Sequence, residues 1–198
     1  MRNIVLLGED TGHETVLTVL LSRYSSDYKI VTTVKTLSSR GGLARVHHEF
    51  DTFLTDVDGD RASTPDLIVI ATDSNCMGYL KRRQQLEKVA LKYPRLKDLI
   101  AYAIPDPHIE RWLMADPDGF KEVLGKGCTL PKMKCEKDEY KRLLDQSVRD
   151  AGVRPILGGL EYAEDLVNAA NLLRIEKEEP SFEKTAKQIK AFFQQWQQ

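Results

Sequence analysis

Acidic residues gather at three places where the chain leaves a short apolar run. Gly8-Glu9-Asp10 follows the first run, with Glu14 a few residues on, and Asp73-Ser74-Asn75 follows the third. The fourth leads through Pro105-Asp106-Pro107 to Glu110 and Asp116. If the first, third and fourth runs are neighbouring strands, Glu9 and Asp73 sit side by side. Two carboxylates ~4 Å apart repel by roughly 4 kcal/mol at an effective dielectric near 20, so a cation, a proton or a basic side chain must offset them. Carboxylates with a side-chain amide make an oxygen-rich donor set suited to magnesium or manganese. Metals held in this way stabilise the attacking and leaving oxygens of phosphoryl transfer. Glu9, Asp73 and the Asn75 amide are thus the first candidate metal ligands and catalytic groups, and a second ion would draw on Asp10, Glu14, Asp106, Glu110 or Asp116.

Bland readings stand beside these. Asp10, Asp106 and Asp116 also fit the N-cap and turn roles that short polar side chains favour. Glu110 lies early in a helix beside Trp112, where it can equally face solvent. Glu9 and Asp73 follow buried strands, and neither is an obvious cap. His13 and His108 flank the same region as ordinary histidines, ligands or proton carriers. His47 and His48 are adjacent on a helix, point apart and read as surface residues. Asp56-Val57-Asp58-Gly59-Asp60 has the wrong glycine position for a calcium loop, and Leu67 stands where the bidentate Glu belongs. Walker A, Gly-x-Ser-x-Gly and Gly-x-Gly-x-x-Gly patterns are lacking.

The elements that must position these residues alternate. Residues 2–7, 28–35, 66–71 and 98–104 read as strands, the third a continuous apolar run of the parallel-sheet kind. Residues 14–24, 43–55 and 77–92 read as the helices between them. The order β-α-β-α-β-α-β predicts a parallel, Rossmann-like α/β sheet with helices on both faces. Such sheets bind ligands beyond the carboxyl ends of their strands, where the acids fall. Asp106 and Pro107 read as the start of the next helix, and Asp116-Pro117 opens a short helix closed by Gly125. Helices follow over 136–150, 160–173 and 182–196, the last with Phe182, Ala186, Ile189, Phe193 and Trp196 on one stripe. Residues 1–116 form the expected core, and 117–198 a helical extension packed on it.

With 29 basic and 30 acidic residues in 198, the chain is not coated in positive charge. A local patch is enough for nucleic acid, and residues 79–97 supply one. Lys81, Arg82, Arg83 and Lys88 on its helix are the expected contacts to a phosphate backbone. Cys76, Cys128 and Cys135 are odd in number and irregular in spacing, which reads as three reduced thiols in a cytoplasmic protein. No stretch approaches the ~20 apolar residues that span a bilayer.

An acid after strand one and an Asp-x-Asp-like pair after strand three resemble the topoisomerase-primase (TOPRIM) fold. Ile-Val-Leu-Leu-Gly-Glu-Asp, residues 4–10, is similar to its first motif, and Ile-Val-Ile-Ala-Thr-Asp-Ser-Asn, 68–75, to its second. The segment Ala-Ile-Pro-Asp-Pro-His-Ile-Glu-Arg-Trp-Leu-Met-Ala-Asp, 103–116, resembles the signature of a TOPRIM-like bacterial family often associated with AAA-type or ABC-type ATPases and phage-defence loci. Gly158-Gly159-Leu-Glu-Tyr-Ala and Pro180-Ser181-Phe182 are similar to its C-terminal end. The related overcoming-lysogenisation-defect nucleases cleave DNA with metals. The resemblance thus implies Mg2+ or Mn2+ on Glu9 and Asp73, Asn75 in the second Asp position, Glu14 as the second acid of the first motif, and Glu110 and Asp116 completing an acidic wall. It implies a metal-dependent nuclease acting on nucleic acid, DNA before RNA, beside an ATPase; the rival is a non-catalytic binding or regulatory subunit of that ATPase. Two departures stand out. Asn75 is neutral where the pattern has Asp, and Glu14 lies one residue further on than its counterpart.

Overall fold

The computed structural model describes residues 1–38, 42–136 and 138–198. Four strands, β1 (Arg2–Gly8), β2 (Thr32–Ser38), β3 (Leu67–Ala71) and β4 (Ile100–Ala103), form one sheet in the order β2-β1-β3-β4. All pairings are parallel. The crossovers are α1 (Thr11–Asp27), α2 (Leu43–Asp58) and α3 (Tyr79–Ala90). Beyond β4 follow α4 (Ile109–Met114), α5 (Pro117–Leu124), α6 (Glu139–Asp150), α7 (Ala163–Ala169), α8 (Leu172–Glu178) and α9 (Pro180–Trp196).

Successive strand residues face opposite ways, and the core divides accordingly. Ile4, Leu6, Leu67 and Val69 pack against α1 (Val16, Leu17, Leu20), α4 (Trp112) and α9 (Phe182, Ile189, Phe193). Val5, Leu7, Ile68 and Ile70 pack against Phe50 and Leu54 of α2 and Leu86 of α3. Both sheet faces are thus covered, which explains why β3 is apolar throughout. Leu144, Leu166 and Ile175, from beyond residue 116, lie in the same core cluster as Leu6 and Val16.

Several boundaries differ from the expectation. The second strand begins at Thr32 rather than residue 28, because α1 runs on to Asp27 and the Tyr28 N–H closes its last turn on the Tyr24 carbonyl. The expected helix over 160–173 is split: a 3-10 turn (Leu160–Tyr162) precedes α7, Ala170 is extended, and the Asn171 side chain caps α8 through the Arg174 N–H. The helix expected to start at Asp106-Pro107 starts at Ile109, with His108 in the cap position. Asp106 turns instead to α3. Its carboxylate accepts from the Tyr79 N–H at 3.2 Å and from Ser74 Oγ at 2.5 Å, stitching the ends of β3 and β4 together.

The expectation of three reduced thiols is also overturned. Cys76 and Cys135, 59 residues apart, are disulfide-bonded with Cα atoms 5.4 Å apart. The fold creates this proximity, and no spacing rule encodes it. The cytoplasmic expectation drew on those thiols and loses that support. Cys128 remains free, its Sγ against the Met114 carbonyl, and burial pushes its thiol up to about 12. No helix among the described residues is long and apolar enough to cross a membrane.

Candidate metal centre at the strand ends

Parallel order puts the carboxyl ends of β1, β3 and β4 at one edge. The Glu9 N–H extends the ladder to the Ala71 carbonyl at 3.0 Å. Its carboxylate then accepts from Thr72 Oγ1 at 2.6 Å and from the Asp73 N–H at 3.1 Å. Glu9 therefore braces the backbone that presents Asp73. Gly8 makes room for α1 to start there: a Cβ at Gly8 would lie 2.8 Å from Cγ of Glu14.

Asp73 is buried, and its two oxygens anchor the site. Oδ1 meets His13 Nε2 at 3.0 Å and accepts from the Ile109 N–H at 2.9 Å; Oδ2 meets His108 Nδ1 at 3.0 Å. His13 is fully buried in the first turn of α1. Its Nδ1 faces Asp10 Oδ1 at 2.8 Å, and the same oxygen caps α1 by accepting the His13 N–H at 3.0 Å. A hydrogen-bonded row Asp10–His13–Asp73–His108 thus runs inward from a half-exposed end.

The charges follow from this row. Burial works against a charged His13, but Asp73 and Asp10 on either side outweigh it and raise its pKa well above 6.5. Burial likewise pushes Asp73 upward, yet the charge of His13 and the bond from His108 hold it below the usual carboxylate range. Asp10 is only partly desolvated, and His13 holds it low. The hydrogen bond to Asp73 raises His108. Burial and the neighbouring charge of Asp73 push Glu110 upward. Lys141, exposed at the start of α6, is raised despite desolvation by the charges of Glu110, Asp73 and Asp10.

Asp73, His108 and Glu110 are all buried, and their ligand atoms lie within 4.8 Å of one another. Ligand distances of roughly 2.0 to 2.6 Å allow one ion to bridge atoms about 4 to 5 Å apart. Two of these residues hold orphaned polar atoms: His108 Nε2 and Glu110 Oε2 have no hydrogen-bond partner, nor does Glu14 Oε1 nearby on α1. Buried polar groups are ordinarily satisfied, and a cation would satisfy these. With His108 Nδ1–H directed at Asp73, its Nε2 lone pair is left for a ligand, the usual arrangement of a metal-binding imidazole backed by a carboxylate.

The predicted residues separate under this geometry. Asp73 and Glu110 come together, and His108 joins them. Glu9 adjoins Asp73 but falls outside the 4.8 Å group, its Oε2 engaged by Thr72 and the Asp73 backbone. Glu14 lies over Gly8. Asn75 is exposed, in a left-handed conformation (φ 48°) that Asn tolerates, and its N–H binds the Pro107 carbonyl. Asp116 belongs to a different cluster: buried, it accepts from the Asn171 N–H at 2.7 Å and from Arg174 at 2.8 Å.

The basic helix is also reassigned in part. Arg82 is an internal residue, 2% exposed, donating to the Asp73 and Ser74 carbonyls and to Gln85. Arg83 pairs with Glu87 and lies over the Tyr102 ring. Lys81 and Lys88 are exposed. His47 is not a surface histidine: its Nε2 is buried, and burial with the charge of Arg82 lowers its pKa. His13 and His108, open in the sequence as ordinary histidines, ligands or proton carriers, both contact Asp73. Asp10-x-x-His13 has cap spacing, and His108-x-Glu110 presents both donors just beyond β4. No family model, curated protein or solved structure matches this chain.

Proposed function

We propose that His108 Nε2 and Glu110 hold a divalent metal, with Asp73 backing the imidazole, and that the protein is a metal-dependent, nuclease-like phosphoryl-transfer enzyme with a TOPRIM-like core. The observation that carries this reading is the pair of buried, unpartnered ligand atoms, His108 Nε2 and Glu110 Oε2, beside Asp73. An imidazole in the donor set favours manganese over magnesium, because Mg2+ prefers oxygen ligands and retains its waters. A bound divalent ion supplies Lewis-acid polarisation and an acidified water at neutral pH. The protein's own groups do the rest. Glu9 fixes the backbone of Asp73, Arg82 pins the Asp73 and Ser74 carbonyls, and Asp73 sets the tautomer and orientation of His108. His13 supplies the positive charge that keeps Asp73 ionised.

The second reading, a non-catalytic subunit of an ATPase complex, draws on one observation: both Asp73 oxygens already have protein partners. The two separate in one assay. Nicking of supercoiled plasmid and hydrolysis of bis(p-nitrophenyl) phosphate are measured with Mn2+ or Mg2+, with and without an ATPase encoded beside the gene. The enzyme reading expects Mn2+-dependent cleavage that falls at least 100-fold in Asp73→Asn and Glu110→Gln. Absence of cleavage in every condition, with both variants keeping biological activity, overturns it.

A further inference from the structure

Of the cations expected on α3, Arg82 and Arg83 are engaged within the fold and Lys81 and Lys88 are exposed; a second basic run is tied to the segments that carry the candidate centre. Lys126, Lys132, Lys134, Lys141 and Arg142 fall in the connection from α5 into α6, interrupted by Glu136, Asp138 and Glu139. Lys126 donates to the Asp150 carbonyl, and Arg142 lies 3.9 Å from Glu139. Lys132, Lys134 and Lys141 are exposed. Unlike Arg83 or Lys92, these three form no ion pair among the described residues.

This connection is fastened to both sides of the centre. Cys135, next to Lys134, is bonded to Cys76, three residues beyond Asp73. Arg111, next to Glu110, donates to the Pro131 carbonyl at 3.1 Å and to Tyr140 Oη at 2.8 Å. The same Tyr140 oxygen accepts the Lys134 N–H at 3.1 Å, and Lys141 follows it. A loop of exposed residues is thereby held by a covalent link at β3 and hydrogen bonds at α4. Lys141 lies close enough to Glu110, Asp73 and Asp10 to feel their charges, and Lys132 and Lys134 sit on the same tethered connection; such ammonium groups suit a polyanion whose phosphates must approach the metal.

We propose that Lys132, Lys134 and Lys141 form the surface that holds the phosphate backbone of nucleic acid against the strand-end centre, with the Cys76–Cys135 bridge fixing that surface in place. This rests on the phosphoryl-transfer reading and names the side from which its substrate enters. Backbone contacts release counterions, each contributing about 0.7 to 0.9 to the slope of log K against log salt.

The test is fluorescence anisotropy of the full chain with a labelled oligonucleotide in EDTA across a salt series, so that neither metal nor cleavage enters. K132Q/K134Q/K141Q should bind at least tenfold more weakly and lose about 2 to 3 from the salt slope. K81Q/K88Q should stay within twofold of the parent. C76S/C135S, checked for folding by thermal unfolding, should bind at least threefold more weakly with the lysines intact. Unchanged affinity in the triple variant, a larger loss in K81Q/K88Q, or no oligonucleotide binding by the parent each overturns the proposal, the last pointing to a protein partner instead. Mn2+ binding and diester hydrolysis by the parent are measured separately. If the parent hydrolyses the small diester while the triple variant binds DNA normally, only the surface assignment falls. If the triple variant loses DNA while the parent neither binds Mn2+ nor hydrolyses the diester, only the catalytic reading falls.

Discussion

Asp73 and Asp116 are the same residue type and similarly buried at 5% and 3% exposure, one just beyond β3 and the other between α4 and α5, yet their surroundings differ in kind. Asp116 meets a permanent cation, Arg174, and a backbone N–H. Its charge is balanced once, at the surface end of Arg174, which also reaches Asp118. Asp73 meets two titratable histidines, and beside it sit a carboxyl that burial pushes up and two orphaned ligand atoms. A buried acid alone is therefore a poor marker of function. The informative pattern is a buried acid whose neighbours are themselves unsatisfied or able to change charge.

The largest test of this contrast is a pair of substitutions. Asp73→Asn leaves His13 and His108 without their shared counter-charge and should cost about 3 to 5 kcal/mol in urea unfolding, along with metal binding. Asp116→Asn keeps an acceptor for the Asn171 N–H and frees Arg174 toward solvent, so it should cost about 1 to 3 kcal/mol and leave metal affinity unchanged. Equal losses of metal affinity in the two variants would erase the distinction.

A smaller effect is the pH dependence of the metal-free protein. His13 has a raised pKa, so its contribution is whole below its ordinary 6.5 and is lost as pH rises through the folded value. Asp73 is depressed, so its contribution is present above 3.8 and is lost as pH falls through its folded value. Stability from this pair should peak between those two reference values and decline on the alkaline side by at most about 1.4 kcal/mol per pH unit for the one proton. Melting curves from pH 6 to 9 check this, and His13→Gln should flatten the decline. Bound Mn2+ should oppose it, because a metal-bound imidazole is deprotonated.

The smallest effect has opposite signs with and without metal. Glu110→Gln removes a carboxylate whose ionisation burial and Asp73 disfavour, so the metal-free protein should gain about 1 kcal/mol. Calorimetric affinity for Mn2+ should fall at least tenfold. A loss of metal-free stability would show that the Glu110 charge is already balanced by a protein group.

What the sequence made legible follows the same division. β1 and β3 were readable because continuous apolar runs ending in Gly8 and Ala71 have few other solutions, and the alternation of elements implied parallel strands with acids at their ends. Asp10 as a helix cap was readable because that role is local. The start of β2 was not, since Tyr28 and Ile30 are β-formers by type but close and follow the last turn of α1. Asp106 caps a helix, but one that lies 27 residues earlier in the chain. Arg82 looks like any surface cation until the carbonyls of Asp73 and Ser74 are seen beneath it. The convergence of His13 and His108 on one carboxylate, and the Cys76–Cys135 bridge, depend on segments 35 to 60 residues apart. Local propensity carries no trace of either.

The most direct test of the central claim is isothermal titration of Mn2+ into the purified chain beside its Asp73→Asn and Asp116→Asn variants. The account predicts one ion per chain, bound with release of a proton, lost in Asp73→Asn and retained in Asp116→Asn. Absence of binding to the parent, or binding that survives Asp73→Asn, would contradict it.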